Sequence, residues 1–186
     1  MGRKLKIGDL FEVQTSKGLG YVQFCHRDAS GPADHGPLIR AIEGLHRQRP
    51  AELEDVARRP LLFWTFYPLG AALYHKLVSY VGNFVIPEEA ATFPVLRSDT
   101  GSDRSGLVHQ WLILGRSLDL RKRILREVQI LTEEEQRLSH SSIITHPLLV
   151  EYLEEQYRPE KNPVMLRAQR HWTAIAQRKK TSTTSQ

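Results

Sequence analysis

The chain has a single cysteine, Cys25, and no apolar run of the roughly 18 residues that a transmembrane helix needs. A lone cysteine cannot form an internal disulfide, which is typical of proteins in a reducing compartment. The N-terminal residues, with Arg3, Lys4 and Lys6, include no apolar core of the kind found in a secretory signal. We therefore expect a cytoplasmic protein that does not bind a membrane.

Signatures of common catalytic and metal sites are also missing. There is no GxSxG elbow, no GxxxxGK[ST] or GxGxxG phosphate loop, and no CxxC or HExxH motif. The densest group of metal-ligand residue types is Cys25, His26 and His35, but adjacent strand residues such as Cys25 and His26 point to opposite faces. A free cysteine usually packs as a small hydrophobic side chain. We therefore predict no catalytic residue, no metal and no cofactor.

Two groups of carboxylates have simpler explanations than acid-base chemistry. The run 133–135 is all glutamate and follows Thr132, a typical helix N-cap, so its charge suits the first turn of a helix. Asp99 and Asp103 belong to the polar stretch 98–106, which predicts a solvated loop.

The net charge of +5 is concentrated at one end of the chain. Residues 158–186 hold seven Lys and Arg against one acid, a net charge of +6, which leaves −1 for residues 1–157. The high isoelectric point therefore does not indicate a basic face on the main domain. We predict a single domain over 1–157, followed by a basic tail over 158–186.

A β-hairpin is the clearest local prediction. The segment 9–15 alternates apolar and polar residues, with Phe11 and Val13 on one face, and a second alternating segment runs over 19–26. Between them lies a short turn that includes Gly18, a residue free to adopt positive φ and so to fix the register of the two strands.

The rest of residues 1–157 mixes strand and helix patterns. Further strands are predicted over 38–42, 61–67, 78–86 and 108–114, and helices near 51–59, 68–76 and 146–157. The segment 117–131 fits a helix or broken strands equally well. The fold class is therefore α+β, with an N-terminal curled antiparallel sheet or a partly open small barrel, peripheral helices and a basic C-terminal tail.

Polar and aromatic residues within the strands are the first binding candidates. Tyr21, Gln23 and Arg40 either face solvent or line a cleft. In the run 61–67, the rings of Phe63, Trp64 and Phe66 are more typical of a core than of a base-stacking platform.

The tail supplies the second group of candidates. Asn162-Pro163 opens a segment over 163–178 whose apolar residues recur at three- and four-residue steps, which predicts an amphipathic helix, and 181–186 is expected to be disordered. Its apolar stripe, led by Trp172, packs either on its own domain or on an acidic partner, and the linker-like stretch 159–163 favours a partner. Arg167, Arg170 and Trp172 combine charge with an aromatic ring, as nucleic-acid-binding segments do.

Several motifs in fixed order resemble one family. Gly8-Asp9, the stretch 15–26, Gly36 with Leu38-Ile39-Arg40, the stretch 66–69, and then Val81-Gly82-Asn83, Pro87, Phe93-Pro94 and Arg97 are similar to the immunity 26 family of bacterial polymorphic-toxin systems. The likeness covers residues 5 to 115. It implies a cytoplasmic protein that neutralises a toxin by binding it. It carries over no catalytic residue, because the shared positions are turn glycines, aromatics and prolines. The basic tail departs from the family pattern.

We therefore predict a non-enzymatic bacterial binding protein of an immunity or defence type, which neutralises or scaffolds a protein partner through Tyr21, Gln23 and Arg40. One alternative is a nucleic-acid-binding or adaptor component of a nucleoprotein complex, acting through the basic tail. The other is a hydrolase.

Overall fold

The structure, a computed structural model, describes residues 3–28, 36–116 and 122–183. Over these residues the fold is α+β, with one five-stranded and one three-stranded antiparallel sheet, neither closed into a barrel. The strands are β1 Asp9–Thr15, β2 Gly18–Asp28, β3 Gly36–His46, β4 Leu61–Phe66, β5 Ser79–Asn83, β6 Leu96–Asp99, β7 Trp111–Arg116 and β8 Lys122–Val128. The helices are α1 Leu53–Ala57, α2 Leu69–Tyr74, α3 Glu88–Ala91, α4 Glu133–Gln136, α5 His146–Glu154 and α6 Pro163–Thr183.

The predicted hairpin is confirmed and forms the middle of the five-stranded sheet, whose order is β4-β3-β2-β1-β5. Thr15 pairs with Gly18 across the turn. Gly18 has φ +136°, and a Cβ there would lie 2.6 Å from the carbonyl oxygen of His46. Only glycine fits that backbone and that space, so this residue fixes the register.

Both faces of this sheet are covered. On one face Phe11, Val22 and Phe24 pack against Leu149 and Leu153 of α5. The opposite face places its apolar side chains against α1. Because helices cover both faces, Gln23 and Arg40 in the central strands are fully buried.

The second sheet has the order β6-β7-β8 and resolves the ambiguous segment 117–131. Residues 122–128 form a strand, so the helix interpretation is wrong for that part; residues 117–121 lie outside the described residues. A second core lies between this sheet and α6. It includes Trp111 of β7, Val108 before β7, Leu131 after β8 and Met165 of α6.

The predicted helices are confirmed with shorter bounds, and Thr132 caps α4. Its hydroxyl accepts from the Glu135 N–H, and the Glu135 carboxylate accepts from the Thr132 N–H, which completes a capping box. Gly82 pairs with Leu10, next to a register shift between Leu10 and Phe11. No helix within the described residues is long and apolar enough to cross a membrane.

The two sheets are joined by an irregular segment, residues 139–144, which we call the seam. On one side Phe66 of β4 donates its N–H to the Ser142 carbonyl oxygen at 3.1 Å and accepts from the Ile144 N–H at 3.1 Å. On the other side Arg97 of β6 donates its N–H to the Ser139 carbonyl oxygen at 2.9 Å and accepts from the Ser141 N–H at 2.6 Å. The seam therefore runs parallel to an edge strand of each sheet and satisfies the backbone groups of both.

The Ser139 hydroxyl makes a further contact across the seam that a mutation can test. Its Oγ accepts from the buried Trp64 N–H at 2.8 Å. We expect Ser139→Ala to lower the free energy of unfolding by about 1 to 2 kcal/mol, because the N–H loses its acceptor. Urea denaturation measures this, with Ser102→Ala as an exposed control expected to match the wild type. Equal midpoints for Ser139→Ala and wild type would contradict the role of the seam.

Candidate functional site

The structure brings Tyr21, Gln23 and Arg40 together, but not at a surface. Their exposed fractions are 1%, 0% and 0%. The prediction that they contact a partner is therefore wrong for the protein as folded, because α1 and the chain around Phe84 cover this face of the sheet.

Arg40 and Gln23 instead form an internal hydrogen-bond network. Arg40 Nε donates to Gln23 Oε1 at 2.9 Å, and the two Nη groups of Arg40 donate to the carbonyl oxygens of Ala57 and Arg59 at the end of α1. Gln23 Nε2 donates to the carbonyl oxygens of Gly8 and Phe84. Burial lowers the pKa of Arg40. This cluster donates to four backbone carbonyl oxygens on three segments of the chain and has a structural role.

Tyr21 lies on the same face of the sheet, opposite Glu12 of β1. Its hydroxyl donates to Glu12 Oε2 at 3.0 Å, and Glu12 also pairs with Arg49 at 2.9 Å. Burial, with the Glu12 contact, raises the pKa of Tyr21. The ring has its edge against His46.

Cys25 and His26 do not form a reactive pair. The Cys25 thiol is buried, donates to the Gln23 carbonyl oxygen, and has its pKa raised to about 12 by burial. The His26 ring lies beside Trp64 and Phe93 and bonds the Ala90 carbonyl oxygen at 2.9 Å. His35 lies outside the described residues, within which no cluster of three or more metal-ligand side chains occurs.

The tail forms a helix, as predicted, but it docks on its own domain. Asn162 caps α6 by accepting the Met165 N–H at 2.9 Å, and Met165 and Ala168 are fully buried. The Trp172 indole donates to the Val108 carbonyl oxygen at 2.9 Å. The preference for docking on a partner is therefore wrong for this apolar stripe, because β7 and the chain leading to it supply the surface that buries it. Of the predicted disordered end, 181–183 belong to α6 and 184–186 lie outside the described residues.

The opposite side of α6 is exposed and basic. It presents the residues at 166, 167, 170, 171, 174, 177 and 178, which we call the basic stripe; Arg167 and Arg170 are both exposed there. Residues 163–183 include no Asp or Glu. Docking of Trp172 thus separates it from Arg167 and Arg170, with which the sequence had grouped it.

A cavity of about 250 Å³ lies at the seam and was not predicted. We call it the seam pocket. Its walls come from β4, β6, β7, the seam, α5 and the start of α6. Phe63 and Trp64 of β4, predicted as core residues, are confirmed as buried and line it, whereas Phe66 is buried without lining it.

Two of the residues that line the seam pocket carry an enclosed donor nitrogen that has no hydrogen-bond partner within the described residues. Arg97 is 1% exposed; its Nη groups donate to the carbonyl oxygens of Gln136 and Pro159, but its Nε is unpaired. Trp111 is 2% exposed, and its Nε1 is likewise unpaired. The Arg97 guanidinium carbon lies 5.7 Å from the centre of the Trp111 ring. Burial lowers the pKa of Arg97.

A histidine and a carboxylate also line the pocket. His140 Nε2 lies 2.9 Å from Asp99 Oδ2, and both side chains are about one-third exposed. Asp99, predicted in a loop, is the last residue of β6. Since His140 Nε2 contacts this carboxylate, that atom is not positioned as a base on a serine hydroxyl.

The sequence carried only weak signals for this pocket. The sequence places Asp99 among the carboxylates of a polar loop and Arg97 in a motif of the resembled family. It places Trp111 in an apolar strand. The lining extends from residue 63 to residue 164, so no local pattern brings these side chains together.

Comparison of the chain with family models, curated proteins and solved structures gave no match. The resemblance to the immunity 26 family therefore stays a prediction.

Docking of α6 predicts a cost for removing its central side chain. Trp172→Ala should lower the free energy of unfolding by about 2 kcal/mol or more, because the ring leaves a gap beside Met165 and the Val108 carbonyl loses its donor. Thermal and urea denaturation measure this. Arg170→Ala, on the exposed side, is the control and should stay near the wild type. An unchanged stability in Trp172→Ala would mean that α6 is not part of the folded body.

Three histidines predict a loss of stability in mild acid. Burial lowers the pKa of His26, His46 and His146, so between pH of about 7 and about 5 the unfolded chain binds more protons than the folded one. The stability present above their unfolded pKa is lost as pH falls. Urea midpoints should decline over this window, less steeply in His146→Asn, whereas His75→Asn, an exposed control, should keep the wild-type slope. A flat wild-type profile would contradict this.

Proposed function

We propose that this chain is a cytoplasmic, non-enzymatic binding protein of a bacterial immunity or defence type, which neutralises or scaffolds a protein partner. The partner surface is the basic stripe of α6. The observation that carries the proposal is the exposure of Arg167 and Arg170 on a 21-residue helix that has no acidic residue.

The charge of the stripe defines the partner. Cations without interspersed acids create a positive field that attracts an acidic surface over about one Debye length, roughly 8 Å in physiological salt. Residues 1–157 have a net charge of −1. The helix thus supplies most of the positive net charge of the chain, and its field favours an orientation in which an acidic surface of the partner faces α6.

Apolar side chains beside the cations favour a protein over a nucleic acid. Leu166 is 36% exposed within the stripe, and Val164, one turn before Ala168, is 47% exposed. Protein interfaces have an apolar centre and a charged rim, whereas a phosphate backbone offers no apolar surface to such residues.

The state of the sole cysteine argues against a hydrolase that would use this thiol as its nucleophile. Its raised pKa leaves the thiol protonated at neutral pH, and a protonated, buried thiol is a poor nucleophile.

The stripe predicts the effect of charge reversal. Arg167→Glu with Arg170→Glu should weaken partner binding roughly tenfold or more and reduce its dependence on salt, because two attractive contacts become repulsive. The partner is recovered by affinity purification of the tagged wild-type protein from its native cells, identified by mass spectrometry, purified, and titrated by calorimetry. Lys4→Glu with Arg47→Glu makes the same change in net charge at exposed positions away from α6 and should bind normally.

Nuclease treatment of the lysate separates the two partner classes. A partner protein retained after nuclease treatment, and cross-linked to α6, supports the proposal. Recovery of nucleic acid with the wild type, and loss of all partners after nuclease treatment, would favour the nucleoprotein alternative. Equal binding by both double variants would remove the basic stripe as the partner surface.

A further inference from the structure

We propose that the seam pocket receives one bulky apolar side chain of the acidic protein partner, and that this side chain anchors the partner beside the basic stripe. The inference rests on the proposed function, because it describes a second feature of the same partner. The partner segment is then one that carries a side chain of the size of phenylalanine or leucine next to acidic residues.

The pocket has an apolar rim that is exposed to solvent. Ile143 and Val164 both line it, and their exposed fractions are 55% and 47%. The less exposed Ile144, Leu148 and Tyr152 continue the apolar lining. Exposed apolar side chains around a concave apolar lining are typical of binding sites.

The size of the cavity suits one side chain of this kind. At about 250 Å³ it exceeds the roughly 150 Å³ that accommodates benzene, so a phenylalanine ring fits within it. In protein interfaces the side chains that contribute most to affinity fill such pockets and are surrounded by contacts that exclude water. Ile143 and Val164 are placed to make those surrounding contacts.

Polar groups of the lining are paired within the fold. Asp99 Oδ2 lies 2.9 Å from His140 Nε2, and Asp99 Oδ1 accepts the Gly101 N–H at 2.9 Å. The Thr65 hydroxyl donates to the Ser142 carbonyl oxygen at 3.2 Å. Because these groups already have partners, they do not require a polar ligand, and an apolar side chain in the pocket leaves their hydrogen bonds in place.

The charge beside the pocket selects an acidic partner. Lys161 is exposed and lies between Pro159 and Asn162, which both line the pocket. Val164 is followed one turn later on α6 by the exposed Arg167, and residues three apart are neighbours on a helix surface. The pocket therefore lies beside exposed cations, so one acidic segment of the partner can pair with them and fill the pocket.

Two short synthetic peptides test the pocket separately from the stripe. In the first, one phenylalanine is flanked by aspartates; in the second, alanine replaces that phenylalanine, so both peptides carry the same charge. Titrated into the full chain with ¹³C-labelled methyl groups, the phenylalanine peptide should shift the methyl resonances of Ile144 and Leu148, because its ring lies beside them. The alanine peptide should bind roughly tenfold more weakly, since it buries no ring. The methyl resonances of Val85, which is 86% exposed and outside the lining, should not shift.

A change at the rim tests the same contact from the side of this chain. Ile143→Ser with Val164→Ser removes the exposed apolar rim and should weaken binding of the phenylalanine peptide several-fold, with little effect on the alanine peptide. Val85→Ser is the matched control and should bind both peptides as the wild type does. Far-ultraviolet circular dichroism checks that each variant is folded.

The failure of this inference differs from the failure of the proposed function. Equal affinity for the two peptides, or no shift of Ile144 and Leu148 at about 1 mM phenylalanine peptide, the dissociation constant of a weak complex, would overturn the anchoring role of the pocket. Neither result would affect the basic stripe. Arg167→Glu with Arg170→Glu should weaken both peptides alike; unchanged binding of both would remove the stripe as an acidic-partner surface, while the preference for phenylalanine would still support the pocket.

Discussion

The hydrogen bonds of the seam to Phe66 and Arg97 are the constraint on which the rest of this structure depends. An antiparallel sheet ends in strands whose outward N–H and C=O groups need partners, and two sheets in one small protein have four such edges. The seam satisfies one edge of each sheet with one irregular segment, and so fixes β4 beside β6. That arrangement also creates the pocket, since the segment is too short and irregular to fill the space between the side chains of the two sheets. The cavity follows from how the edges are closed.

Two buried arginines show how the same side chain serves different ends. All three side-chain nitrogens of Arg40 donate, to Gln23 and to the carbonyl oxygens of Ala57 and Arg59 at the end of α1. Arg97 donates through both Nη groups to backbone carbonyls, and its Nε is enclosed and has no hydrogen-bond partner within the described residues. A guanidinium has five N–H donors in a planar fork, so a few bonds suffice to hold it in place. Arg40 is thus hydrogen-bonded at every side-chain nitrogen, whereas Arg97 is held by its two Nη groups and lies over the Trp111 ring.

The sequence predicted the elements whose causes are local. Alternation around Gly18 gave the hairpin, and Thr132 followed by acids gave a capped helix, because these depend on neighbours within a few residues. It could not place Arg40, since a polar strand residue is exposed or buried according to whether a distant helix covers it. The stretch 139–144 has four polar residues in a row and reads as a loop; its pairing comes from two edges supplied by other parts of the chain. The sequence could not predict the pocket for the same reason, because its lining residues come from distant parts of the chain.

The docking of α6 decides both what this helix hides and what it presents. With 3.6 residues per turn, Met165, Ala168 and Trp172 share one side, and burying them turns Arg167 and Arg170 outward. A tail that ordered only on meeting its partner would lose conformational entropy at that moment, and the loss would reduce affinity. A helix already held by the Trp172 indole and capped by Asn162 presents its cations without that loss. The residue that the sequence grouped with the binding arginines therefore contributes to their function from the opposite side of the helix, by fixing the face on which they stand.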